Sequence, residues 1–237
     1  MSNNHHNEND HGGHPSFLAH HFSSPQQQYD AGKLGIWLFL VTEVLFFSGL
    51  FCAYAVYRFN HPEIFRYAHF FLDTTMGAIN TVVLILSSLT IAWAVRAVQL
   101  NQRRLAVGML VVTLLCAAAF MVIKYIEYTH KFHMGLTWGE SFAPSAEALR
   151  EVLGEAHGEV LEKPANLHLF FSIYFCMTGL HGIHVLAGIG VIIWMIVRTA
   201  RGDFSSEYFG PVEYTALYWH IVDLVWIFLF PLLYLID

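Results

Sequence analysis

The sequence predicts an all-α fold, a polytopic membrane helical bundle with five transmembrane helices. Two observations lead there. Hydrophobic residues make up 56% of the 237-residue chain and charged residues 13%, about half the roughly 25% charge that a soluble domain uses to cover its surface. Apolar residues also gather in five windows, each long enough for the roughly 20 residues that cross a bilayer core. The net charge is −6 with His neutral, so no basic surface argues for nucleic acid. The cysteines, Cys52, Cys116 and Cys176, lie in apolar stretches with no zinc spacing. They read as small buried side chains.

Residues 1–31 form a polar tail holding His5, His6, His11, His14, His20 and His21. With no apolar core, the tail is expected to be disordered rather than a signal peptide. A metal-binding tail is the alternative. The five-helix membrane domain then occupies residues 32–237. Its spans are expected at 32–57, 75–99, 105–128, 167–197 and 212–235. The polar turn Asn101-Gln102-Arg103-Arg104 is so short that the second and third spans must be an antiparallel hairpin. Residues 129–164 make the one long connection, an outer loop in which 146–160 reads as a Glu-rich helix too charged to span.

Basic residues set the orientation. With the N-terminus cytoplasmic, the inner side carries Lys33, Arg96, Arg103, Arg104, Arg198 and Arg201, and the short outer connections carry Arg58 and Arg66. Lys131, Arg150 and Lys163 fall in the long outer loop, which weighs little. A cytoplasmic N-terminus and an outer C-terminus follow.

Polar residues inside the spans are the functional candidates, because an acid at membrane depth is costly unless neutral, paired or hydrated. Glu43 is the sharpest case. Its neighbours at i±3 and i±4 are Phe39, Leu40, Phe46 and Phe47, and a rise of about 1.5 Å per residue puts it roughly 15 Å below the inner edge. It either bonds to a neighbouring helix or faces a cleft, a lipid path or a partner. His181 and His184 share a face of the fourth span, His220 and Asp223 a face of the fifth. By depth, His184, His220 and Asp223 are expected to form a hydrogen-bonded cluster between the last two helices. Lys124 and Glu127 are expected at the outer edge of the third span, paired or snorkelling to interfacial water.

Three chemistries compete for the histidines. Haem ligation needs His pairs on facing helices at two depths, and only one helix here has two. A non-haem metal site or proton relay could use His181, His184, His220, Asp223 and Glu127. Structural hydrogen bonding that fixes helix register is the third reading, and the favoured one.

Three segments carry a family resemblance. Residues 37–47 (WLFLVTEVLFF), 179–185 (GLHGIHV) and 217–226 (LYWHIVDLVW) resemble hallmark motifs of heme-copper oxidase subunit III, the cytochrome c oxidase subunit III family. Residues 79–88 and 126–128 match more loosely. The likeness runs in order from residue 32 to 237. It places the family's buried carboxyl at Glu43, its His pair at His181 and His184, and its Trp-His-x-x-Asp segment at Trp219, His220 and Asp223.

The resemblance implies a non-catalytic subunit of a proton-pumping terminal oxidase of aerobic respiration, a cytochrome c oxidase. Such a subunit packs against subunits I and II, holds phospholipid in a cleft and supports proton uptake. It has no catalytic residue, metal or cofactor of its own, haem and copper belonging to the partner subunits. A bacterial inner membrane is the implied location. The five spans correspond to the last five of the family's seven-helix form, so the pair that bounds the family's lipid cleft has no counterpart. The His-rich tail and the outer loop are additions, suited to contacts with cytochrome c or another respiratory complex. Alternatives are subunit III of a quinol oxidase, an accessory of nitric oxide reductase, or a free-standing proton-coupled transporter. The last is disfavoured by the absence of inverted repeats.

Overall fold

The computed structural model describes residues 18–137, 143–144 and 166–236. The expected helix at 146–160, most of the outer loop and the first 17 residues of the tail lie outside the described residues. Among the described residues there is no strand. The helices are α1 (Pro25–Asn60), α2 (Pro62–Ala68), α3 (Thr74–Gln99), α4 (Arg103–His133), α5 (His168–Arg201) and α6 (Gly210–Tyr234), with a 3-10 turn at His69–Phe71. All but α2 are long and apolar enough to cross a membrane, as the sequence predicts, and the chain is a multi-pass membrane protein.

The helices overrun the predicted spans at their polar ends. α1 starts at Pro25, not near residue 32. Ser24 caps it by accepting from the Gln27 amide at 3.2 Å, and Pro25 supplies a pre-set first-turn φ. Its 36 residues extend about 54 Å at the usual rise, well beyond a hydrocarbon core of about 30 Å. α4 runs to His133 and so takes Lys131 out of the expected loop. The short α2 was not legible as an element. Pro62 at its first turn starts it, and Ile64, Phe65, Tyr67 and Ala68 are buried.

The bundle closes on its near end, where α1 begins, through two tight connections. Asn101 takes the left-handed conformation (φ 56°) in the α3–α4 turn, and its side chain bonds Ser206 across to the α5–α6 connection (2.9 and 3.1 Å). Gly202, at φ 92°, ends α5, its amide bonding back to the carbonyls of Arg198 and Thr199.

α3, α4, α5 and α6 form the core, and α1 leans on α6. α1 is held at both ends. Tyr29 donates to Glu213 at 2.6 Å and Tyr214 donates to the Tyr29 carbonyl at 2.8 Å. At the far end, Tyr54 donates to the Leu232 carbonyl. Between those ties α1 exposes Trp37, Leu38, Val41 and Leu45, a face that only lipid or another protein can cover. Trp219 is the wedge at the centre of the fold. Its indole nitrogen donates to Ser87 on α3 at 2.9 Å, and its ring lies against Gly188 on α5, where an added Cβ would come within 2.6 Å. Small residues permit this approach without any hydrophobic drive between helices in lipid.

Candidate functional site: two intramembrane polar clusters

Glu43 of α1 meets His184 of α5 with Oε2 and Nε2 2.9 Å apart. Each side chain is about one-fifth exposed (17% and 21%), so the pair sits at the rim of the bundle and not in its core. His184 is held from three sides, twice through its ring and once through its backbone. Its Nδ1 lies 2.8 Å from the Leu180 carbonyl, Phe47 packs on the ring edge-on at 5.1 Å, and Tyr218 donates to the His184 carbonyl at 2.9 Å.

A carbonyl can only accept, so Nδ1 carries a proton. Nε2 and Oε2 thus face each other at ion-pair distance without an aligned hydrogen bond. With one proton between them the pair would be neutral as a unit, either carboxylic acid with imidazole or carboxylate with imidazolium. A titratable partner at this distance is what makes an acid tolerable at membrane depth.

The second cluster lies toward the far end of the bundle. Glu127 sits between two lysines of its own helix, 2.9 Å from Lys124 and 2.7 Å from Lys131. Tyr174 of α5 and Tyr234 of α6 both donate to Glu127 Oε1, at 2.8 and 2.6 Å. Lys124 also donates to the Tyr234 hydroxyl at 2.7 Å, and its ammonium lies 4.5 Å from the Trp226 ring centroid. All five side chains are buried. Asp73, the N-cap of α3, lines the same cleft of about 540 Å³ as Glu127 and Lys131, which balances the two ammonium groups with two carboxylates.

The expected pairing of Lys124 with Glu127 is thus found, but inside the protein and not at a snorkelling edge. Sequence reading missed Lys131, Tyr174 and Tyr234. Lys131 had a signal: it stands four residues after Glu127, on the same helix face.

The expected cluster of His184, His220 and Asp223 is corrected. His184 goes to Glu43, and His220 Nδ1 goes to Ser88 Oγ on α3 at 2.7 Å. Asp223 and His181 are buried, and none of their side-chain oxygens or nitrogens has a hydrogen-bond partner. The reason is helical phase. Trp219 takes the side of α6 that meets Gly188, and His220, one residue on, is rotated by about 100° toward α3. His181 and His184 are likewise about 60° apart. His181 turns inward between Phe120 and Trp226, and His184 turns toward α1. Among the described residues, no three His, Cys, Asp or Glu side chains converge in a metal-binding arrangement.

A multi-pass helical bundle with one carboxyl paired to a histidine at its rim and another enclosed between two buried lysines fits the class of an integral subunit of a larger membrane complex. The family model described as "Cytochrome c oxidase subunit III" matches residues 10–142 and 166–237, and the chain belongs to that family. Cytochrome c oxidase subunit 3 of Synechocystis sp. is 31% identical over 209 residues, which are 87% of this chain and 76% of that protein. The protein of the same name from Thermostichus vulcanus is 30% identical over 87% of this chain and 88% of its own length. Quinol oxidase subunit 3 of Bacillus spizizenii is 27% identical over 89% and 91%. The chain is subunit III of a terminal oxidase, and the resemblance first carried by three motifs is shown over most of the sequence.

Proposed function

We propose that this chain is a non-catalytic subunit III of a cytochrome c oxidase, stabilising subunit I and supporting proton uptake by its neighbour. One observation supports this best: Glu43 and His184 lie 2.9 Å apart at membrane depth while remaining partly exposed on the bundle's rim. A pair buried for structure alone would be sealed, as Glu127 is. A pair at the rim can exchange its proton with whatever covers it, whether a partner helix, water or a lipid headgroup path. Haem and copper belong, on this reading, to subunits I and II, and phospholipid fills the face that α1 leaves open. The tail and outer loop serve cytochrome c or another respiratory complex. The membrane is a bacterial inner membrane, with the near end of the bundle cytoplasmic.

The test is Glu43→Gln in the purified, fully assembled oxidase. The initial rate of oxygen reduction should stay close to wild type, while proton uptake and the number of turnovers before inactivation fall. Complete loss of oxygen reduction in an assembled complex would contradict a supporting role. A quinol oxidase is the second reading, favoured by the 27%-identical quinol oxidase subunit. Copper in the co-purifying subunit II decides for cytochrome c, and its absence decides for quinol.

A further inference from the structure

Asp223 of α6 is 2% exposed, and neither carboxyl oxygen has a hydrogen-bond partner. It faces the hydroxyls of Ser87 and Ser88 on α3 without an aligned bond to either. Those two hydroxyls decide its state. Ser87 Oγ donates to the Leu84 carbonyl at 2.7 Å and accepts from Trp219 at 2.9 Å. Its one proton is in use, so toward Asp223 it can only accept. Ser88 Oγ lies 2.7 Å from His220 Nδ1.

The other ionisable neighbours supply no compensating charge. Cys116 approaches from α4, His220 stands on the same helix, and the Lys124 ammonium is held by Glu127 and Tyr234. His181 of α5 lies between Phe120 and Trp226. An ionised carboxylate here would be stripped of water with no cation and, at most, the Ser88 hydroxyl as donor, which is costly in a hydrocarbon setting. A carboxylic acid needs only an acceptor, and the serines provide it.

We propose that Asp223 is a proton-binding site in the core of the bundle, and that Ser88 and His220 are the route by which its proton exchanges. In the transfer, the Asp223 O–H proton passes to Ser88 Oγ while the Ser88 hydroxyl proton passes to His220 Nδ1. The carboxylic acid becomes a carboxylate, the imidazole an imidazolium, and Ser88 is unchanged. His220 is half-buried and so links the sealed acid to the surface of the bundle. A metal cation fits less well, since hard cations take about six oxygen ligands and one carboxyl with two hydroxyls offers fewer. The inference stands independently of the role given to Glu43.

Infrared spectroscopy of the purified oxidase in membranes tests it. The expected result is a protonated-carboxyl C=O band that moves to lower frequency in D2O, is lost in Asp223→Asn and shifts in Ser88→Ala. In His220→Phe the same band should persist with hydrogen–deuterium exchange slowed tenfold or more. Should Asp223→Asn fail to assemble, carboxyl-13C aspartate in the wild-type complex assigns the band and Ser88→Ala supplies the shift. Three results would overturn the proposal. Asp223→Asn, or the isotope, could affect only ionised-carboxylate absorption. The band could disappear on adding sodium or potassium, which would mark a cation site. Exchange could proceed at the wild-type rate in His220→Phe, which would remove the route.

Discussion

Glu43 and His184, 141 positions apart in sequence, meet at 2.9 Å across the α1–α5 boundary. This contact bridges the least buried helix of the bundle to the core, because α1 otherwise leans on α6. Energetic coupling between the two side chains should therefore be measurable. In a double-mutant cycle with Glu43→Gln and His184→Gln, thermal denaturation of subunit III within the complex should show non-additivity of about 0.5–2 kcal/mol, the range for polar pairs between membrane helices. Strict additivity would mean the pair does not interact in the assembled oxidase.

The second cluster should be far less tolerant. Removing the Glu127 charge leaves the Lys124 and Lys131 ammonium groups buried without their shared carboxylate. Glu127→Gln should cost about 3–5 kcal/mol, the penalty for breaking a buried pair from one side. Adding Lys131→Met to Glu127→Gln should recover part of that loss, because Lys131 bonds only to Glu127 within the network. The check is retention of subunit III in the purified complex at rising temperature. A double variant weaker than Glu127→Gln alone would show that Lys131 also serves the Asp73 carboxylate across the cleft.

The sequence exposed the fold readily and the site only partly, for a physical reason. A span is a local property, so five apolar windows announce five helices whatever their neighbours. The partner of a polar side chain depends on rotation about the helix axis, and that is set by steric wedges. The match of Trp219 to Gly188 turns α6 so that His220 meets Ser88 and not His184. Depth alone put His184 and His220 at one level, and it could not say which way each pointed. Tyr174 and Tyr234 were invisible as network members because a phenol inside an apolar run reads as one more aromatic. Lys131 was hidden by a boundary drawn one turn too early.

That wedge yields a prediction of its own. A Cβ at Gly188 would sit 2.6 Å from the Trp219 ring, and Trp219 is fully buried, so it has no room to retreat. Gly188→Ala should destabilise the α5–α6 interface by about 1–3 kcal/mol, the usual cost of overpacking. It should also disturb the Trp219–Ser87 hydrogen bond. Tryptophan ultraviolet resonance Raman, which reports indole N–H bonding, would detect that loss alongside a lower midpoint of thermal unfolding. An unchanged Trp219 signal would mean the helices separate without moving the ring.

Tyr67 on α2 offers a change in the opposite direction. Its side chain is 1% exposed, and its hydroxyl has no hydrogen-bond partner. Burial pushes the phenol above its ordinary value near 10. Because the folded state holds the proton more tightly than the unfolded chain, this group's contribution to stability is complete below the unfolded value. It is lost as pH rises through the folded one. Tyr67→Phe removes an unsatisfied polar atom while keeping the ring. It should therefore raise stability by about 1–3 kcal/mol at neutral pH, the cost of leaving such a group unpaired. It should also flatten the decline in stability above pH 10. Thermal denaturation of the wild-type and Tyr67→Phe complexes from neutral to alkaline pH measures both effects at once. A less stable Tyr67→Phe protein would show instead that the hydroxyl gains a partner in the assembled oxidase.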